Sequence, residues 1–539
     1  MLQKHFRYLC LFFVIVLASC AKRGTISGGL KDTIAPVLKN SFPKNYSTNF
    51  TGSTIRLNFD EYVKLKNINK QLIVSPPMKN TPEILPNNAS KYITVKINDT
   101  LQPNTTYSFN FGQSIEDNNE GNAYRQFKYV FSTGPYIDSL SLNGKIKDAF
   151  EKTTDNFVTV MLYEVDEKYN DSLVYKQNPR YVTNTLDSAT VFKLENLKAG
   201  KYQLVAIKDA NSNYKFNPKE EKIGFHKQYI TIPNDTVYEI EMFKEVVPFK
   251  VKKITQASGN KLFMGYEGNP KDAKILLRKG NQPLDIVTTP LPDKDSLQIW
   301  YKPIKLDASV KLDSLVAEVS KNDKTEQFTV RIKNQKADTL SLNPVQKSVL
   351  PLREKFTLQA SVPLSKFDVT KMQLLDKDSV AVALKTVYDE PKQEVGFDFA
   401  KEPLQKYKLK LFPGALTDYM ERTNDTLTYA FETRNTSEYG NLTLKLENVR
   451  QFPIIIELTN DKGAVLYSEY SEGAAKIDFN LVSPELFTLR IIYDENKNKV
   501  WDTGSFLEKR QTEQVIYYSK PIDVRANWDV EQTINLASP

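Results

Sequence analysis

Two cysteines and two histidines are all that the 539 residues contain. Cys10 and Cys20 both lie at the extreme N-terminal end, so no thiol pair is left to staple the body of the chain. Stability there must come from packed sheets instead. A Ser-His-Asp or Cys-His arrangement would hang on His226, and no nucleophile elbow or zinc spacing is present. His226, beside Phe225 at a strand start, reads as a surface or half-buried residue. Tryptophan is scarce too: Trp300, Trp501 and Trp528 are the whole supply of the rings that glycan binding favours. The net charge of +8 is small for this length, with lysines and acids interspersed. No basic stripe with aromatics appears, which argues against a nucleic-acid surface. Amphipathic helical stretches of useful length are also missing. The one strongly hydrophobic run, from Tyr8 to Leu17, is too short to span a bilayer as a helix.

What is present begins at that run. Lys4, His5 and Arg7 precede it, and Leu17-Ala18-Ser19-Cys20 closes it. A charged start, an apolar segment and small residues form a secretory signal. The small residues directly before a cysteine resemble the bacterial lipobox. The resemblance implies cleavage before Cys20, acylation of its thiol and new N-terminus, and anchoring by acyl chains at about 0.8 kcal/mol per buried methylene. Residues 21–35 are small, polar and Gly-containing, a flexible tether reaching about 50 Å if fully extended. Ala21 is not the aspartate that retains enterobacterial lipoproteins at the inner membrane, which favours the outer membrane. Lys22 and Arg23 stand where surface lipoproteins of Bacteroidota carry an acidic export signal. The side of the membrane is left open.

Beyond the tether the texture is strand-like throughout. Ile55, Leu57 and Phe59 alternate, as do Tyr107, Phe109 and Phe111, then Tyr129 and Phe131. Pro36, Pro43, Phe59, Leu101-x-Pro103, Thr106-Tyr107, Asp117, Gly121-Asn122 and the closing Phe131-Ser132-Thr133-Gly134 resemble the bacterial Ig-like family of surface-layer proteins. That family is a structural module and brings no catalytic residues. Further on, Phe192-x-Leu194-x-x-Leu197-x-x-Gly200-x-Tyr202-x-Leu204-x-Ala206 resembles the transthyretin-like or carboxypeptidase-regulatory-like sandwich. The C-terminal half repeats this order. Tyr407-x-Leu409 and Thr428-Tyr429-Ala430-Phe431-Glu432-Thr433 echo the first module, and Phe487-x-Leu489-x-Ile491 echoes the second. The expected organisation is all-β: tandem Ig-like and transthyretin-like β-sandwiches in an elongated multidomain chain. Its parts are a signal peptide (1–19), tether (20–35), Ig-like domain (36–135), transthyretin-like sandwich (136–246), an unassigned β-rich sandwich (247–340), an Ig-like repeat (341–434) and a transthyretin-like repeat (435–539).

Two loops carry the densest side-chain oxygen. Asp209, Asn211, Asn213 and Glu220 form one set; Asp494, Asn496, Asn498 and Asp502 form the other. Oxygen donors at alternate positions with a later acid can wrap calcium. Against this, Tyr214 and Lys499 occupy the place where an EF-hand needs glycine, and Lys208, Lys215 and Lys219 oppose a cation. The other reading is an Asx-rich hairpin loop whose side chains satisfy their own backbone. Both loops follow the same strand of the repeated module, which favours a shared structural role.

A third pattern is Asp-Ser/Thr followed by an aliphatic residue. It marks Thr33, Thr100, Ser139, Ser172, Ser188, Thr236, Ser296, Ser314, Thr339, Ser379 and Thr426, where composition alone would give roughly two. It resembles the O-glycosylation acceptor of Bacteroidota; turn chemistry, with aspartate ending a turn before a strand, is the alternative. Together these features point to a non-enzymatic, outer-membrane-anchored lipoprotein. Its partners are the membrane, through its lipid, and other envelope proteins, which it serves as scaffold, adhesin or accessory subunit. No cofactor is implied beyond the calcium just weighed. A glycan-binding or glycan-degrading lipoprotein is the alternative, since a carboxylate pair can hide among abundant acids.

Overall fold

A computed structural model describes residues 32–185, 190–292, 294–302 and 313–537. It is nearly all β. The helical content among these residues is one turn, Ile68–Gln71, and three short 3-10 segments. No helix of the described residues is long and apolar enough to cross a membrane. The chain divides into two compact units. The first holds the residues up to Ser141 with Arg180–Val182 and Leu194–Lys198; the second holds Leu142–Pro179, Thr183–Lys193 and everything from Ala199 on.

In the first unit the period-two alternation becomes a sandwich. Ile55, Leu57 and Phe59 on strand Thr54–Leu65 point inward and meet Tyr107, Phe109 and Phe111 from the opposing sheet. Phe131 is the hub, with ring centroids 4.1 Å from Phe50 and 5.5 Å from Tyr107. Such aromatic pairs add to the area they bury. The turn at 118–122 is built on Asp117, which is 1% exposed. Its carboxylate accepts the backbone N–H groups of Glu120, Gly121 and Asn122 at 2.6, 3.1 and 2.7 Å. Burial alone would raise its pKa, but these donors outweigh it and hold the carboxyl below its ordinary range. Gly121 takes φ +81°, a backbone state that suits glycine.

The second unit holds two copies of one sandwich type, a second copy of the first unit's sandwich and a third type. Strand Leu140–Asp148 pairs in parallel with Val237–Met242, and Gly440–Glu447 pairs in parallel with Asp529–Asn535. In each module that three-stranded sheet faces a larger antiparallel one, centred on Gly200–Ile207 in the one and on Glu485–Tyr493 in the other. The Ig-like repeat can be followed residue by residue. Tyr107 and Tyr407, 300 positions apart, each accept through the hydroxyl a backbone N–H five residues upstream, from Gln102 and Glu402, both at 2.9 Å. Thr133 and Thr433 likewise accept the N–H of Thr105 and Gln405, at 3.0 and 3.1 Å. Between the copies, the described residues from 250 to 331 form two four-stranded sheets over a core of Val251, Leu262, Met264, Leu277, Ile299 and Leu315.

Adjacent modules of this unit share side chains. Trp300, fully buried, packs with Val362 and Tyr419, and Thr289 Oγ1 accepts from Trp300 Nε1 at 3.1 Å and Gln393 Nε2 at 2.8 Å. Arg353 reaches from the fourth module to Glu469 and the carbonyl of Asn480 in the fifth, both at 2.8 Å.

Candidate functional site

The two Asx loops follow equivalent strands, and their backbones match. Left-handed φ falls on Ser212 and Tyr214 in one, at 54° and 56°, and on Lys497 and Lys499 in the other, at 65° and 66°. The cause is the leading aspartate. Asp209 accepts the N–H groups of Asn213 and Tyr214 at 3.1 and 2.8 Å; Asp494 accepts those of Asn498 and Lys499 at 3.0 and 2.9 Å. Each carboxylate therefore folds the chain back on itself.

The second acid differs from the sequence expectation. Glu220 is exposed and sits 3.3 Å from Asn217 Nδ2, whereas Glu221 is fully buried and closes the loop. Glu221 accepts the N–H groups of Ala210 and Asn217 at 3.1 and 2.8 Å. Glu513, 5% exposed, does the same for Glu495 and Asp502 at 2.7 and 2.9 Å. Burial pushes the pKa of both glutamates up, and the backbone donors only partly offset it. Asp502 accepts the side-chain amides of Asn496 and Asn498 at 2.6 Å. Asn211 and Asn213 are exposed.

This donor set does not fit a hard cation. Calcium takes six to eight oxygens with lone pairs directed at it, whereas here Asp209, Glu221, Asp494 and Glu513 face backbone N–H groups and Asp502 faces side-chain amides. Among the described residues no group of three or more acidic, histidine or cysteine side chains is placed to hold a metal. The loops are carboxylate-capped turns.

The loops differ in length. Asp209 to Glu221 spans 12 positions and Asp494 to Glu513 spans 19, so the later loop carries seven extra residues. The extra chain forms a small turn closed by paired backbone bonds between Ser505 and Arg510, at 2.8 and 3.0 Å. It sits on the second module. Phe506, fully buried, lies 5.2 Å from the Phe225 ring and 6.4 Å from that of Tyr175. Its backbone N–H donates to Glu245 at 2.5 Å. Lys509 donates to Asp171 at 2.7 Å and to the buried Gln203 at 3.1 Å, and its ammonium lies 5.6 Å from the Phe225 ring centroid. Gln511 Nε2 donates to the carbonyl of Phe225 at 3.0 Å, and Thr503 Oγ1 to that of Lys244 at 2.7 Å. Alongside, the ring of Phe150 of the second module lies 4.7 Å from that of Trp501, tilted by 43°, with the Arg490 guanidinium 4.3 Å above it. None of Phe506, Lys509, Glu245 or Asp171 stood out as a docking group in the sequence. The signal available was the seven-residue excess, visible once the two loops are aligned.

The remaining sequence-marked positions scatter. Thr33, Thr100, Ser139, Thr236, Thr339, Ser379 and Thr426 are exposed, and Ser172, Ser296 and Ser314 are part-buried. Cys20 and Ser188 lie outside the described residues. The aspartates before these hydroxyls share no one turn role: Asp32 accepts the N–H of Ile34 at 2.9 Å, Asp138 the hydroxyl of Thr106 at 2.9 Å, and Asp171 takes Lys509. His226 is half-buried, its Nδ1 2.8 Å from the carbonyl of Gln228. Trp528 is 54% exposed, whereas Trp501 donates Nε1 to the carbonyl of Glu513 at 3.0 Å.

Comparison with known proteins agrees with the fold of the first module. Residues 32–133 match the family model of a bacterial Ig-like domain. No curated relative matches the chain. Among solved structures it is similar to the surface layer protein SbsC, domains 1–6, at 12% identity over 91% of this chain and 67% of that one, with a TM-score of 0.16. The N-terminal eight Ig domains of Down Syndrome Cell Adhesion Molecule share 10% identity over 92% and 70% of the two chains, with a TM-score of 0.15. Salmonella alpha-2-macroglobulin reacted with methylamine shares 11% identity over 90% and 42%, with a TM-score of 0.14. The bacterial Ig-like match thus covers the first module, and the described residues beyond it continue as tandem β-sandwiches.

Proposed function

We propose that this chain is a non-enzymatic structural lipoprotein, held on the outer membrane through Cys20 and presenting a jointed set of sandwiches to other envelope proteins. One observation carries the reading. Modules of the second unit are joined by filled contacts, such as Trp300 among Val362 and Tyr419, rather than by bare linkers. Joints of that kind hold distal surfaces at fixed positions, as a scaffold requires. The bacterial Ig-like module at the N-terminal end agrees with a structural or surface role. The signal and lipobox at Leu17-Ala18-Ser19-Cys20 supply the anchor in this reading. Glycan stacking is less well served, because two of the three tryptophans are engaged within the fold.

The Asp-Ser/Thr sites extend the proposal. All ten described hydroxyl-bearing residues are exposed or half-exposed, which leaves them open to glycosylation, while five of the motifs also open strands, at Leu140, Val237, Ser296, Ser314 and Leu427, as turn chemistry expects. The test is fatty-acid labelling and membrane fractionation of wild type beside Cys20→Ala, followed by crosslinking and affinity purification. Labelling lost in the variant and recovery of specific envelope proteins from wild type are expected. Equal labelling would remove the anchor. Binding to a glycan array, abolished by Trp528→Ala, would replace the scaffold with the glycan reading.

A further inference from the structure

The contact between the second and fifth modules has the composition of a ligand in a site. Phe506 is fully buried, yet it is absent from the core cluster of its own module, which is built from residues such as Leu442, Ile456, Phe479 and Leu489. Its ring partners, Tyr175 and Phe225, belong to the second module. Lys509, three residues on, spends its charge on Asp171 and its amide-acceptor bond on Gln203, again in the second module. Two backbone-directed bonds, from the Phe506 N–H to Glu245 and from Gln511 to the carbonyl of Phe225, fix the register between them. An apolar anchor in a pocket, one charge-assisted pair beside it and main-chain bonds at either end are the parts of a peptide-recognition site. The equivalent loop of the second module lacks the extra seven residues; its own Phe216-x-x-Lys219 stays local, with Phe216 5.4 Å from the Tyr175 ring and Lys219 paired with Glu267 at 3.0 Å.

We propose that the second module carries a recognition slot for a Phe-x-x-Lys turn, and that the 503–511 insert of the same chain is its resident occupant, a removable latch rather than part of either core. Tyr175 and Phe225 select the aromatic ring; Asp171 and Gln203 select a lysine ammonium three residues later. An occupied slot would refuse the same turn offered in trans, and an emptied one would take it.

The test uses the full-length protein and a fluorescent peptide spanning residues 502–512. Anisotropy is measured with wild type, with the double variant Phe506→Ala/Lys509→Ala, and with that variant also carrying Asp171→Ala. The expected result is binding to the double variant at least about tenfold tighter than to wild type, with at least about tenfold lost again on adding Asp171→Ala. Equal binding to all three, or none to the double variant at about 1 mM protein, would overturn the slot. If the double variant loses its cooperative melt, the insert is part of the fold and the latch is wrong. In parallel, a zero-length carbodiimide on wild type should join Lys509 to Asp171 within one chain, since the ion pair is 2.7 Å long. Absence of that crosslink, or its appearance only between chains, would overturn occupancy in cis.

Discussion

Asp117 and Asp494 set the local rule at the residue scale: a buried carboxylate shapes a loop by taking several backbone N–H groups at once. For Asp117 those donors hold the folded pKa below the unfolded one, so its contribution is present above about pH 4 and fades as pH falls through the folded value. Asp117→Asn is expected to cost about 1–3 kcal/mol at pH 7, and the gap from wild type should close in acid. Denaturant melts across pH check this; a gap constant from pH 7 to pH 3 would refute the charge argument. Asp494→Asn should cost about 1–3 kcal/mol through the same loss. A chelator should leave the wild-type melting temperature unmoved, because no native-state ligand is removed. A drop on chelation would restore the calcium reading. The sequence exposed the aspartates through their asparagine neighbours but misplaced the closing acid. Counting by calcium-loop positions reached Glu220, whereas the return strand Ile223–Phe225 sets the phase and turns Glu221 inward.

Elements were more legible than loops. Alternation of Ile55, Leu57 and Phe59 located an inner strand face directly, and the Tyr-x-Leu echoes located the duplicated sandwiches. Period-two burial needs no knowledge of partners. The stretch between the copies gave strands but no identity, because each of its sheets joins strands through crossovers that period-two alternation does not report. The corners of the Ig-like modules are distinctive, and they allow a paired test. Tyr107→Phe and Tyr407→Phe each remove one hydroxyl acceptor from a backbone N–H at the same distance. Each should destabilise its own module by about 1 kcal/mol, read by hydrogen exchange at residues 102 and 402. If one substitution were silent while the other was costly, the two corners would not be equivalent.

At the scale of the whole molecule, the sequence offered least. Contacts such as Lys509 with Asp171 join residues 338 apart, and no periodicity reports them. The joint at Trp300 was equally hidden: a lone tryptophan in sequence suits an exposed platform as well as a buried plug. Only the fold distinguishes the two.

The docked turn has a mechanical meaning. The second unit begins at Leu142, within the strand that ends two residues before Phe150, and its last strand, Asp529–Asn535, lies in the module that grips Phe150. A pull on the two ends therefore loads a short bridge of side chains in parallel with the much longer covalent route through the third and fourth modules. The bridge acts as a fuse. Stretching single molecules by their ends should give one low-force rupture that lengthens the tether without unfolding any sandwich, followed by the larger unfolding events. In Phe506→Ala/Lys509→Ala that first event should vanish. Its persistence there would mean that the load runs elsewhere.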